Sequence, residues 1–239
     1  MIQKDSLHFL PNNPAVLTEG GLSAGLSADP QGRKRVKRRF SKKYQDLKEL
    51  LFQVIQALSI TVEMRDPYTH NHQERVARLA VAIAVEMGLS REAVNAVRMA
   101  ATVHDIGKIR IPSEILSKPG KIDQFEFSII KTHSQAGFDI LNKIEFPWPV
   151  AKIVLQHHER LNGSGYPRGL AGDQILLESR ILAVADVVEA MASHRPYRPA
   201  LGLKKALAEI AENRDVLYDP SVVDACIKIS KKPEFVDWV

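Results

Sequence analysis

His72, His104, Asp105, Lys108, His133, His157, His158 and Asp186 are the residues of this chain whose types and spacing suggest chemistry. Five imidazoles and two carboxylates suit iron, manganese or zinc, and seven such donors exceed what one ion needs. The adjacent pairs in HDIGK and QHHER place two donors about 100° apart around a helix end, so each pair can face two ions at once. Buried imidazoles and carboxylates are costly unless paired or coordinated, which favours a shared metal partner. The natural reading is a two-metal hydrolytic centre. No Ser or Cys nucleophile motif accompanies it.

Taken singly, each of these residues reads as an ordinary helix residue, solvated or structural. Lys108, four residues past His104, falls on the same helix face or the adjoining turn. Gly163, Gly165, Tyr166 and Pro167 form a segment whose glycines permit tight turns beside a ligand.

Helices must position these donors. Leu47, Leu50, Leu51, Val54, Ile55, Leu58 and Val62 recur at three- and four-residue intervals, predicting an amphipathic helix that ends near Pro67. Val76, Leu79, Ala80, Ile83, Ala84 and Met87 predict the next, closed by Gly88. Ser90 is the expected N-cap of a third helix reaching about His104, and Asp123 with Glu126 reads as a capping box. Pro147 or Pro149 opens the helix delivering His157 and His158; further helices are expected over 181–192, 203–213 and 221–229. No stretch alternates like a strand. The fold class expected is all-α.

The chain has 239 residues, 45% hydrophobic and 26% charged, enough for one sizeable core. Cys226 is the only cysteine, which excludes a disulfide framework and suits a reducing cytosol. The N-terminal segment lacks a signal-peptide pattern, and no apolar run approaches a membrane span, so a cytoplasmic location is expected. The formal net charge of +5 is unevenly placed, because residues 33–43 hold eight Lys and Arg and no acid while the remainder is close to neutral. Residues 1–43 are therefore expected to be a disordered basic arm, open to nucleic acid or an acidic surface through residues 33–43, with the catalytic domain over 44–239.

In order, RDPYTHNHQERVARLA, HDIGKIRIP, KTHSQAGFDIL, HHERLNGSGYPRGL and ADVVEAMASHRPYRPAL strongly resemble the bacterial HD-GYP family of cyclic di-GMP phosphodiesterases, within the HD-domain metal phosphohydrolases. The resemblance covers residues 44 to about 229. It implies an HD-domain-like helical bundle with a metal centre between helices, and cyclic di-GMP as substrate. It also implies metal ligation by His72, His104, Asp105 (bridging), His133, His157, His158 and Asp186, with His158 open to a supporting role. Lys108 would assist at the scissile phosphate. Gly165, Tyr166 and Pro167 match the GYP loop, and Arg195 and Arg198 match positions that meet guanine or phosphate. Some members carry a Glu associated with a third metal four residues before the first His ligand; Tyr68 stands there, so two divalent ions, iron or manganese, are expected. His70 is read as capping or solvated. A diguanylate cyclase or other signalling protein and a homodimer are the partner classes the resemblance adds. The rival readings are a different HD phosphohydrolase, one acting on another cyclic dinucleotide included, and a cyclic di-GMP receptor with little turnover.

Overall fold

A computed structural model of the protein describes residues 30–65, 71–193 and 201–238. Its helices are α1 (Pro30–Glu63), α2 (His72–Glu86), α3 (Arg91–Val103), α4 (Ser113–Leu116), α5 (Gln124–Lys131), α6 (His133–Leu141), α7 (Val150–Gln156), α8 (Leu177–Ala192), α9 (Leu203–Glu212) and α10 (Pro220–Ile229). Three short 3-10 segments, at Ile106–Arg110, Gly172–Gln174 and Pro233–Trp238, complete the described elements. Among the described residues there is no strand, only the isolated bridges Asn162–Ala171 and Arg214–Tyr218. The all-α reading of the periodicities stands.

The local signals act where the sequence places them. Ser90 accepts the Ala93 N–H at the start of α3, and Asp123 with Glu126 forms the capping box of α5. Gly88 takes a left-handed φ of 74° after α2, and the Leu89 N–H returns to the Ala84 carbonyl, closing the helix in a Schellman-type turn.

The first helix departs from expectation. It begins at Pro30, so residues 30–43 are helical and the basic run lies on a helix, not in a disordered arm. Eight Lys and Arg in eleven positions look like a solvated tail, yet straight-chain basic residues are good helix formers. The disorder expected over residues 1–29 lies outside the described residues. The buried face also differs: Ile55 and Val62 face inward with Phe52 and Ser59, whereas Leu47, Leu50, Leu51, Val54 and Leu58 are exposed. Inside that face a polar link replaces apolar packing, because Ser59 donates to the Thr102 carbonyl and also bonds Gln73.

The chain divides into residues 1–50 and 51–239, and the core belongs to the second unit. Val76, Leu79, Ala80 and Ile83 of α2 pack with Val97 and Ala100 of α3, Ile153 and Val154 of α7, and Ile181, Leu182, Val184 and Val188 of α8. Ile210 of α9 and Val222, Val223, Cys226 and Ile229 of α10 extend the same cluster. Each of these larger aliphatic side chains contributes about 1.5–3 kcal/mol on burial. Cys226 is a core residue, its thiol pushed up to about 12 by burial. This packed set of helices is what fixes the donors.

Candidate metal centre

Three of the histidines sit just past the ends of helices. His104 follows α3, His133 follows α5 across Thr132, and His157 follows α7. A helix end leaves its last carbonyls without intrahelical donors. Each of these rings uses one: His104 Nδ1 lies 2.8 Å from the Ala101 carbonyl, His133 Nδ1 2.7 Å from that of Ile130, and His157 Nδ1 meets that of Val154. Donation from Nδ1–H fixes the tautomer and leaves the Nε2 lone pair aimed inward.

The inward nitrogens meet two carboxylates. Asp105 Oδ1 is 3.7 Å from His133 Nε2, while its Oδ2 is 3.6 Å from His104 Nε2 and 3.9 Å from His72 Nε2. Asp186 spans the same gap, with Oδ1 3.3 Å from His72 Nε2 and Oδ2 4.0 Å from His158 Nδ1. Three overlapping donor sets result: His72, His104 and Asp186; His104, Asp105 and His157; His133, His157 and His158. His158 is thus brought into the cluster with the other six expected ligands.

Electrostatics prepares most of the cluster for a cation; at His72 burial acts downward, but the hydrogen bonds with Asp186 and Glu189 outweigh it and raise the imidazole to about 9, a proton that a bound ion would displace. Burial, reinforced by the neighbouring His104 and His133, lowers the His157 imidazole to about 3. Burial also holds His133 and His158 below the ordinary histidine range. These rings are neutral and ready to donate. Burial disfavours ionisation of Asp105, but Lys108, His104 and His133 outweigh it and hold the carboxyl well below its usual range. Asp186 is likewise held low, against burial, by the His72 hydrogen bond and His104. Among the described residues His104 Nε2 is buried with no hydrogen-bond partner, the signature of a group whose natural partner is an ion. The residues therefore fit a divalent metal pair.

Lys108 lies on the 3-10 turn after Asp105 and places its Nζ 2.6 Å from Asp105 Oδ2. That turn packs so tightly on α6 that a Cβ on Gly107 would fall 1.9 Å from the His133 carbonyl oxygen. The HDIGK glycine is thus a packing requirement of the centre. The GYP segment folds back over the end of α7 in the same manner, since a Cβ on Gly165 would lie 2.4 Å from the Glu159 Cα. Tyr166 consequently lies against the cluster, its ring centroid 4.7 Å from that of His158 and 6.5 Å from that of His133. Arg195, Arg198, Tyr68 and His70 lie outside the described residues.

Two buried acids do work that the motif spacing did not assign. Glu189 accepts from His72 Nδ1, from Arg75 Nε at 2.7 Å and from Ser193 Oγ at 2.7 Å, so it orients the His72 ring. Glu159 accepts the Arg168 and Leu170 N–H groups at 2.7 and 2.9 Å and so fastens the GYP segment. A signal existed for each: Glu189 is three residues past Asp186 on one helix face, and Glu159 directly follows the paired histidines.

The HD domain family matches residues 56–222. A cyclic di-GMP phosphodiesterase of Thermotoga maritima is 44% identical over 191 residues, 79% of this chain and 52% of that protein. The cyclic di-GMP phosphodiesterase response regulator RpfG of Xanthomonas campestris pv. campestris is 43% identical, covering 74% of this chain and 47% of its own. A 3'3'-cGAMP-specific phosphodiesterase of Vibrio cholerae is 39% identical over 73% of this chain and 38% of that protein. The chain spans about half the length, or less, of these curated relatives. Among solved structures, the V. cholerae cyclic GMP-AMP phosphodiesterase V-cGAP3 superposes with a TM-score of 0.61 at 19% identity, covering 78% of this chain and 50% of that one. The HD domain of the L. monocytogenes phosphodiesterase PgpH, in complex with cyclic-di-AMP, gives 0.52 at 22% identity over 73% of this chain and 95% of that one. Helical architecture, clustered donors and matched relatives agree with the resemblance carried by the motifs: the chain belongs to the HD domain family.

Proposed function

We propose that this protein is a metal-dependent phosphodiesterase that hydrolyses cyclic di-GMP to the linear dinucleotide, with two divalent ions, iron or manganese, at the cluster. The observation that carries the reading is the pair of buried carboxylates, Asp105 and Asp186, each with its oxygens divided between two histidine groups. His72 and His104 would hold one ion and His133, His157 and His158 the other, with Asp105 and Asp186 between them. Such ions, when bound, supply water activation and neutralise charge on a phosphodiester. The chain's own groups do the rest. Lys108, part-buried beside Asp105, offers its ammonium to a non-bridging phosphate oxygen. Tyr166 covers the His133–His158 side of the cluster and limits water there.

Curated relatives named for cyclic di-GMP and for cGAMP support a cyclic dinucleotide as the substrate class. Among the described residues no helix is long and apolar enough to cross a membrane. The test is anaerobic purification with metal analysis, then incubation with cyclic di-GMP and, separately, 3'3'-cGAMP, with products resolved by chromatography. Linear dinucleotide from the first substrate supports the proposal; a metal-loaded chain that cleaves neither overturns it.

A further inference from the structure

Beside the Tyr166 ring lies a cleft of about 410 Å³, lined by Arg110, Lys131, Gln135, Asp139, Tyr166 and Pro167 among others. A ligand with a phosphate at the cluster and a flat group reaching past Tyr166 would enter it. We propose that this cleft is a base subsite that selects guanine, holding one base of the cyclic dinucleotide; this rests on the phosphodiesterase reading above.

Its size is that of a small-molecule site. Its walls combine an aromatic and a cationic group, Tyr166 and Lys131, whose Nζ stands 5.9 Å from the Tyr166 centroid; Phe127, outside the lining, meets Tyr166 edge to face at 6.4 Å. Aromatic faces of this kind stack nucleobases whatever their identity. Selection comes from the polar groups. Gln135 donates to Asp139 Oδ1 at 2.8 Å, and Arg110 Nη1 is 3.9 Å from Asp139 Oδ2, so a carboxylate and a guanidinium stand side by side with open positions.

Guanine presents O6 and N7 as acceptors and N1–H and N2–H as donors. Arg matches the first pair and an acceptor-only carboxylate matches the second. Adenine has an acceptor at N1 and a donor at N6, so against the same pair it would set acceptor against carboxylate and donor against guanidinium. Arg110 also lies two residues past Lys108 on the same 3-10 turn, which couples base position to the phosphate contact.

The test uses the full-length, metal-loaded chain and hydrolysis-resistant phosphorothioate analogues of cyclic di-GMP and cyclic di-AMP. Wild type should bind the guanine analogue more tightly. Asp139→Ala, at an exposed position, should weaken that binding roughly ten- to a hundredfold, leave binding of the adenine analogue no weaker, and keep the wild-type metal content. Arg110→Ala should act in the same direction. Equal affinities in wild type and Asp139→Ala, or equal losses for both analogues, overturn the subsite while the phosphodiesterase reading stands. A metal-loaded wild type that binds neither analogue and cleaves no cyclic dinucleotide overturns both.

Discussion

Removing the carboxylate of Glu189 should weaken metal binding although the residue touches no ion. Glu189 is fully buried and serves three donors, but these are not equal in consequence. The Arg75 side chain is 26% exposed, so water can replace what it loses. The His72 ring is buried, and among the described residues its Nδ1 bonds Glu189. The loss therefore falls mainly on the orientation and basicity of His72. A hydrogen bond to a charged group contributes about 1.5–3 kcal/mol, and at about 1.4 kcal/mol per factor of ten this corresponds to a metal affinity lowered roughly ten- to a hundredfold. Glu189→Gln should lose less, because its amide oxygen still accepts from one donor. The assay is anaerobic titration with manganese against a competing chelator, with circular dichroism melting to show that each variant folds. A folded Glu189→Ala chain with wild-type manganese affinity would refute the reasoning.

Three further outcomes follow from other parts of the site and scaffold. Lys108→Ala should retain its metals yet slow turnover by about 10² or more, read by metal analysis and steady-state kinetics on one preparation. Gly107→Ala should lower both stability and metal content, because the added Cβ meets the His133 carbonyl oxygen and the Gly137 nitrogen at 1.9 and 2.5 Å, backbone atoms that yield only if the 3-10 turn shifts; the cost is about 1–3 kcal/mol or more, read by denaturant melts. Asp219 caps α10 through the Ser221 and Val222 N–H groups and pairs with Arg180 at 3.0 Å. Burial opposes its ionisation, but the Ser221 hydroxyl, Arg180 and the cap hold its carboxyl below the ordinary 3.8. Its contribution is therefore complete above that value and lost as pH falls below it. Asp219→Ala should cost about 1–2 kcal/mol near neutral pH, and the gap from wild type should narrow in acid.

The cluster was legible because coordination chemistry restricts residue type, and five His and two Asp at these spacings, several at helix ends and Asp186 within α8, have few other joint explanations. The caps at Ser90 and Asp123 and the glycine closing α2 were legible for a similar reason, since each satisfies backbone groups locally. The start of α1 was not. A basic run without apolar alternation carries the composition of a solvated tail, and nothing in charge alone distinguishes tail from helix. Nor was its buried face: Ser59 and Gln73 meet through hydrogen bonds between residues fourteen apart, a partnership that apolar periodicity does not register. Glu189 and Glu159 escaped because an acid on a helix reads as solvated until its burial is seen.

Metal removal and return is the measurement that bears most directly on the central claim. Wild type and Asp105→Ala should be purified anaerobically, stripped with chelator, and assayed with cyclic di-GMP before and after manganese or ferrous iron is restored. Wild-type hydrolysis should vanish on stripping and return with about two ions per chain, while Asp105→Ala should neither hold the pair nor regain turnover. Hydrolysis that survives in the stripped wild type, or that Asp105→Ala retains in full, would contradict the assignment of this cluster as the hydrolytic centre.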